Sequence, residues 1–515
     1  MSDSEPTDLT AGVALADLDA DGMVGGRVGD ADVLLARVGD EIVAWDAKCT
    51  HVGAALPTGL RRGDRVHCPF HHACFSLRTG EAIFAPAFAP LKRWEVAVAD
   101  GRVRVLDRAP QPVAPGKVTN SRGVRRVVVI GGGAAGYATV ERLRRVGYDG
   151  ELTLVTAEPQ LPVDRTKLSK GYLGGQAGPD GLPLAPASWY ADAGIDVRLS
   201  TEVTALDTVG RLVHLADGTT VAFDAAVLAT GASPNRPDLP GFDRPDVHLL
   251  RTVADADAII AAAEGVGPRG VVVLGAGFIG LETAAAMRDR GVEVTVVMKD
   301  HVPLAGILGD ELGRLVHSVH AEHGVRFVQG SAASWDGSAL ELAYASSVPG
   351  SLLVVGAGVR PRSELAEAAG LAVDDGILVD RFGETSVPGI FAAGDVARFP
   401  DPDGGAPIRV EHWAVAGRAG ALAAVNLLGA GQPMDEPPFF WSKHFDLNIR
   451  YSGHAGSVGP DDAGAAGATA AVEGSLTDRD AVVRYSVDGR LAAVATVGRD
   501  RECLEIEDSM RPAAV

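Results

Sequence analysis

Val127-Val128-Val129-Ile130-Gly131-Gly132-Gly133-Ala134-Ala135-Gly136 decides the fold, because the same grammar returns as Val271-Val272-Val273-Leu274-Gly275-Ala276-Gly277-Phe278-Ile279-Gly280. Each copy is an unbroken apolar run, as in a strand buried on both faces, followed at once by G-x-G-x-x-G and a helical stretch. The first glycine permits a tight turn, the second lets a pyrophosphate approach the backbone, and the third lets helix pack on strand. A second strand follows each copy. Leu152-Thr153-Leu154-Val155 ends near Glu158, and aligning it on the strand from Val294 sets Asp300 opposite Glu158. A carboxylate about 20 residues beyond the glycines is placed to bind ribose hydroxyls. Two such units predict two doubly wound α/β nucleotide-binding domains.

The flanks read differently. Residues 30–106 alternate in short strands separated by turns such as Gly39-Asp40 and Asp100-Gly101, which predicts a small all-β domain over 1–107. A Pro-rich polar stretch over 108–123 reads as a linker. Beyond it, 124–247 with 373–432 and 248–372 form the two nucleotide-binding units, and 433–515 reads as an α+β C-terminal domain. The chain is thus multidomain, as its 515 residues imply at roughly 150 residues per domain.

Composition excludes several classes of partner. With 47 Lys and Arg against 67 Asp and Glu, the net charge is −20, which repels phosphate backbones and anionic lipid. No nucleic acid and no membrane is expected as partner, since no run approaches the ~20 apolar residues of a span. The acidic start MSDSEPTDLT is unlike a signal or transit peptide, and four cysteines cannot staple a chain of this size. A reducing, cytoplasmic setting is expected.

Three of those cysteines cluster. Cys49-Thr50-His51 precedes Cys68-Pro69-Phe70-His71, so each of two loops offers one thiolate and one imidazole. That donor set suits a 2Fe–2S cluster with Cys on one iron and His on the other; a Cys2His2 zinc ion is the competing reading. The motif resembles the Rieske family, which implies Cys49, His51, Cys68 and His71 as cluster ligands. Ala54 and Phe70 stand where the disulfide-bearing members of that family have cysteines, so the resemblance is to the ferredoxin-like branch. His72 occupies a position that is usually Gly, and His67 and His72 read as ordinary polar neighbours.

The remainder resembles the apoptosis-inducing-factor-like flavoprotein reductases. Gly389-Ile390-Phe391-Ala392-Ala393-Gly394-Asp395 is similar to the second flavin motif of two-dinucleotide flavoproteins, and Ala229-Thr230-Gly231 to their crossing between nucleotide domains. The resemblance implies FAD at Gly131, Gly133, Gly136, Glu158, Thr230, Gly231 and Asp395. It implies NAD(P)H at Gly275, Gly277 and Gly280, where Asp300 favours NADH and Lys299 could meet a 2′-phosphate; the reading leans to NADH. Arg165 and Lys170 resemble the arginine and lysine of a Y-D-R-P-P-L-S-K stretch in dioxygenase-system ferredoxin reductases, whose lysine sits beside the flavin. Glu411-His412-Trp413 resembles the E-H-W stretch that lines the isoalloxazine, with interdomain packing as the plainer reading. Glu282 matches a position near the nicotinamide, and Phe439-Phe440-Trp441 resembles the start of the C-terminal domain, where an aromatic covers the flavin or packs the core. No C-x4-C pair lies near Arg165, which excludes thiol chemistry on the flavin.

The expected activity is an FAD-dependent NAD(P)H oxidoreductase passing electrons through flavin to the Rieske cluster and on to a redox protein or small acceptor, with Lys170 and Glu282 as catalytic candidates. A redox-gated interaction protein of apoptosis-inducing-factor type is the alternative. The sequence does not fix the oligomeric state; a homodimer is compatible with it.

Overall fold

The first Gly-rich unit folds as strand Arg126–Ile130, turn and helix Ala134–Arg145, and the second as strand Val271–Leu274, turn and helix Phe278–Asp289. These elements belong to a computed structural model that describes residues 7–18, 22–112, 117–344, 346–401, 404–459 and 467–511. Both strands are central in five-stranded parallel sheets. The first sheet runs Asp196–Arg198, Glu151–Val155, Arg126–Ile130, Ala225–Leu228, Ile390–Ala392. The second runs Val247–His248, Leu352–Val355, Val271–Leu274, Val294–Met298, Val325–Gln329. Parallel strands covered on both faces need continuous apolar runs, and the valines of both central strands are almost fully buried.

The N-terminal unit is all β. Six antiparallel strands form one sheet, and Leu60–Arg62, Arg65–His67, Cys74–Ser76 and Ala82–Phe84 form a second, smaller one. Arg108 closes the strand Arg102–Arg108, and by Ser121 the chain is already bonded to the first nucleotide unit, through its N–H to Leu428 O at 3.0 Å. Residues 113–116 of the expected linker lie outside the described residues.

The C-terminal unit packs a five-stranded antiparallel sheet against the helix Asp500–Ser509. Its first strand, Phe439–His444, fixes the arrangement of everything around it. Side chains alternate across a strand, so its six residues serve two neighbours. On one face Phe439 stacks on His72 at 3.7 Å and Trp441 lies against His71 at 4.2 Å, both centroid to centroid. On the other, Phe440 stacks on His412 at 4.3 Å, Ser442 bonds Glu282 and His444 meets His320. One face therefore holds the Rieske-like unit and the other the two nucleotide units.

Further contacts hold the β unit in place. Arg62 pairs with Asp508 at 2.8 Å, Arg450 donates to Phe70 O at 3.2 Å, and the fully buried His72 pairs with the fully buried Glu507. Phe88 of the β unit meets Tyr137 of the first nucleotide unit edge-on at 4.9 Å.

Candidate functional site

The two Cys/His loops are conformational duplicates. Cys49 N donates to Ala54 O and Cys68 N to Ala73 O, both at 2.8 Å. Gly53 N returns to Cys49 O at 2.8 Å, and His72 N to Cys68 O at 3.1 Å. The fourth residue after each cysteine is left-handed, with φ 81° at Gly53 and 54° at His72. A glycine is the easy choice there. His72 is no ordinary polar neighbour, as the sequence reading had it; its burial against Phe439 and Glu507 offsets the backbone cost. The shared offset of four residues was the signal in the sequence.

Within these loops the N–H groups of His51 and Val52 donate to the Cys49 sulfur, and those of Phe70 and His71 to the Cys68 sulfur. Each thiol is perturbed first by the other, which pushes Cys49 up and Cys68 down. His51 Nδ1 and His71 Nδ1 face each other at 3.1 Å. Burial, then the neighbouring His51, lowers His71 to about 2, and burial lowers His51 as well. Two nitrogens each about 2.0–2.1 Å from one metal stand about 3.3 Å apart at a tetrahedral angle, close to the separation seen. The donors thus arrive as a sulfur pair and a nitrogen pair. Among the described residues no three His, Cys, Asp or Glu side chains converge as one metal-binding group.

The first Gly-rich turn opens into a cavity of about 690 Å³. Of the expected residues, Gly131, Gly133, Glu158, Arg165, Lys170, Thr230, Gly231, Gly277, Glu282, Asp395, Glu411, His412 and Trp413 all line it. The glycines divide by role. A Cβ on Gly136 would lie 1.8 Å from Gly131 O, and one on Gly280 2.1 Å from Gly275 O, so both are fixed by helix packing. A Cβ on Gly133 or Gly277 would meet nothing within 4 Å; the open space beside each is the cradle that a pyrophosphate requires. No cysteine lines this cavity.

Several charges around the cavity are paired. Arg165 pairs with Glu158, and burial lowers the guanidinium to about 10. Asp395 holds Arg251 at 2.7 Å, a partner the sequence reading missed. Glu411 pairs with Arg409, while burial raises its carboxyl and lowers His412 to about 4.

Glu282 lies where three units meet. Its carboxylate is 4% exposed and accepts from Ser169 at 2.5 Å, Lys170 at 2.8 Å and Ser442 at 2.8 Å. No spacing or motif marks Ser169 or Ser442 as partners of Glu282. Lys299 and Asp300 lie elsewhere, exposed just past the end of strand Val294–Met298, with Lys299 O accepting from Gln329. Gly275 and Gly280 shape the second turn from behind rather than lining the cavity.

Two Gly-cradled nucleotide sites beside a Cys/His pair of loops define a flavin- and nicotinamide-dependent oxidoreductase carrying an iron–sulfur domain. Residues 125–420 match the model of the pyridine nucleotide-disulphide oxidoreductases, and residues 11–95 that of the Rieske 2Fe-2S domain. The chain belongs to the pyridine nucleotide-disulphide oxidoreductase family and is an FAD-dependent NAD(P)H oxidoreductase with an N-terminal Rieske domain. It is 31% identical to apoptosis-inducing factor 3 of Homo sapiens over 494 residues, covering 92% of this chain and 79% of that protein. It is 38% identical to the ferredoxin–NAD(+) reductase component of the anthranilate 1,2-dioxygenase system of Burkholderia cepacia, covering 73% of this chain and 91% of that one. Among solved structures, the covalent putidaredoxin reductase–putidaredoxin complex matches with TM-score 0.69 and 30% identity, over 75% of this chain and 93% of that chain. Among the described residues no helix is long and apolar enough to cross a membrane.

Proposed function

We propose that this chain passes electrons from NAD(P)H through FAD to its own Rieske cluster and then to an external one-electron acceptor, a ferredoxin-reductase-like activity with the first carrier built in. The observation that carries this reading is Trp441, which lines the Gly-rich cavity and lies 4.2 Å from His71. Bound FAD would supply the exchange between a two-electron hydride donor and one-electron delivery to the cluster.

The protein's part is binding, orientation and charge. Gly131, Gly133 and Gly136 would seat the flavin pyrophosphate, Glu158 a ribose and Asp395 the ribityl chain, with Arg165, Thr230, Gly231, Glu411, His412 and Trp413 completing the wall. Gly275, Gly277 and Gly280 would seat the nicotinamide nucleotide, and Asp300 favours NADH over the Lys299 alternative. Lys170, held by Glu282, would supply positive charge to the reduced ring. Cys49, His51, Cys68 and His71 would hold the cluster, with four backbone N–H groups aimed at the sulfurs. The units would divide at 1–107, 124–247 with 373–432, 248–372 and 433–515. All four cysteines are free, in keeping with a reducing compartment such as the cytoplasm.

Anaerobic titration with NADH or NADPH tests the relay. Flavin absorbance should bleach and a rhombic EPR signal of the reduced cluster should follow. A bleached flavin beside a cluster that stays oxidised would refute it.

A further inference from the structure

Beside Trp441 lies a second cavity of about 580 Å³, which shares Thr166, Lys170 and Trp441 with the Gly-rich cavity and which the electron path described so far does not use. We propose that it is the exit site, and that it takes a small aromatic acceptor bearing an anionic group, a quinone-type anion, rather than a second iron–sulfur protein. This rests on the relay proposed above.

Position is the first argument. Both cluster histidines, His51 and His71, line this cavity, as does Trp441, so its occupant would lie against the ligands themselves. Shape is the second. The volume falls in the range of about 300–1,000 Å³ typical of small-molecule sites, and a concave site suits a small ligand better than a protein face. The walls include Val52, 53% exposed, and Phe70, 39% exposed, which with the Trp441 indole offer apolar surface for a flat ring.

Charge is the third. The chain carries −20 overall, yet five basic side chains line this cavity against three carboxylates, Asp164, Asp446 and Asp500. Four are engaged: Lys167 with Asp164, Lys170 with Glu282, Arg450 with Asp500 and Arg479 with Asp446. Among the described residues Lys443 is the one of the five without an ion pair, and it is exposed. It sits two residues after Trp441 on strand Phe439–His444, hence on the same face. An apolar ring against Val52 and Phe70 with an anionic substituent on Lys443 satisfies both features. One NAD(P)H and one proton would convert one quinone to hydroquinone and leave NAD(P)+, the two electrons arriving in successive single deliveries.

The test uses the holoprotein with 1,4-naphthoquinone-2-sulfonate and uncharged 1,4-naphthoquinone as probes. Calorimetric Kd on the oxidised protein and steady-state KM are both measured. K443E should weaken the sulfonate about tenfold in both, a change expected of one lost charge pair, while the uncharged quinone shifts less than twofold and K443R restores binding. Equal effects on the two probes, or none, would overturn the proposal. So would unchanged sulfonate reduction by H71A protein that lacks the cluster, since electrons would then leave the flavin directly. Failure of the relay is told apart by EPR: the cluster then stays oxidised under NAD(P)H whatever Lys443 does.

Discussion

The imidazole of His71 lies 4.2 Å, centroid to centroid, from the indole of Trp441, tilted by 48°. The same indole lines the cavity behind the first Gly-rich turn. One side chain thus touches both sites, and the edge of the Cys/His loops that holds both imidazoles faces the nucleotide units.

Replacing Trp441 with Leu should slow electron arrival at the cluster by an order of magnitude or more while leaving flavin reduction by NAD(P)H close to its original rate. Stopped-flow absorbance separates the two phases. Coincident loss of both phases would place Trp441 in flavin binding instead.

The two alanine substitutions at the first Gly-rich turn should behave oppositely. Gly133→Ala places its Cβ in open space, so the protein should fold with an unchanged apo melting temperature but retain little flavin after gel filtration. Gly136→Ala drives a Cβ to 1.8 Å from a carbonyl oxygen and should lower the melting temperature itself.

Removing the Glu282 carboxylate strands three partners from two other units. Glu282→Ala should cost about 3–5 kcal/mol in chemical denaturation, as expected when a buried ion pair loses one member. Glu282→Gln keeps hydrogen bonds to the serines and should cost less. A loss no larger than that of an exposed glutamate would contradict the three-way junction.

The His320–His444 pair sets a pH dependence. Nε2 of one and Nδ1 of the other are 3.1 Å apart, and burial lowers His320 to about 2 and His444 to about 3. Both are neutral in the fold, whereas the unfolded chain protonates them below about pH 6.5. The unfolded state then binds more protons, so stability is full above that pH and falls as the solution is acidified, until the folded values are reached. Each contributes about 1.4 kcal/mol per pH unit between pH 5.5 and 4. His444→Asn should flatten the slope of unfolding free energy against pH by that amount.

Local chemistry was legible in the sequence and distant pairing was not. The Gly-rich turns, the Cys/His loops and Asp395 announce themselves because each is a spacing of a few residues dictated by one backbone geometry. His72 and Glu507 are 435 positions apart, and Glu282 finds Ser442 160 positions away. Such pairs leave no periodic trace. Even so, Phe439-Phe440-Trp441-Ser442-Lys443-His444 carried a usable clue: six residues without a consistent polar side are what a strand packed on both faces along most of its length looks like, and here the two faces belong to different neighbours.

That strand bears on how such a chain could change. A different electron carrier grafted in place of residues 1–107 would have to be cut to the shape of Phe439, Trp441 and Lys443, while every adjustment at Phe440, Ser442 or His444 disturbs the nucleotide side. Input and output are printed on opposite sides of the same ribbon, so neither end of the circuit is free to evolve by itself.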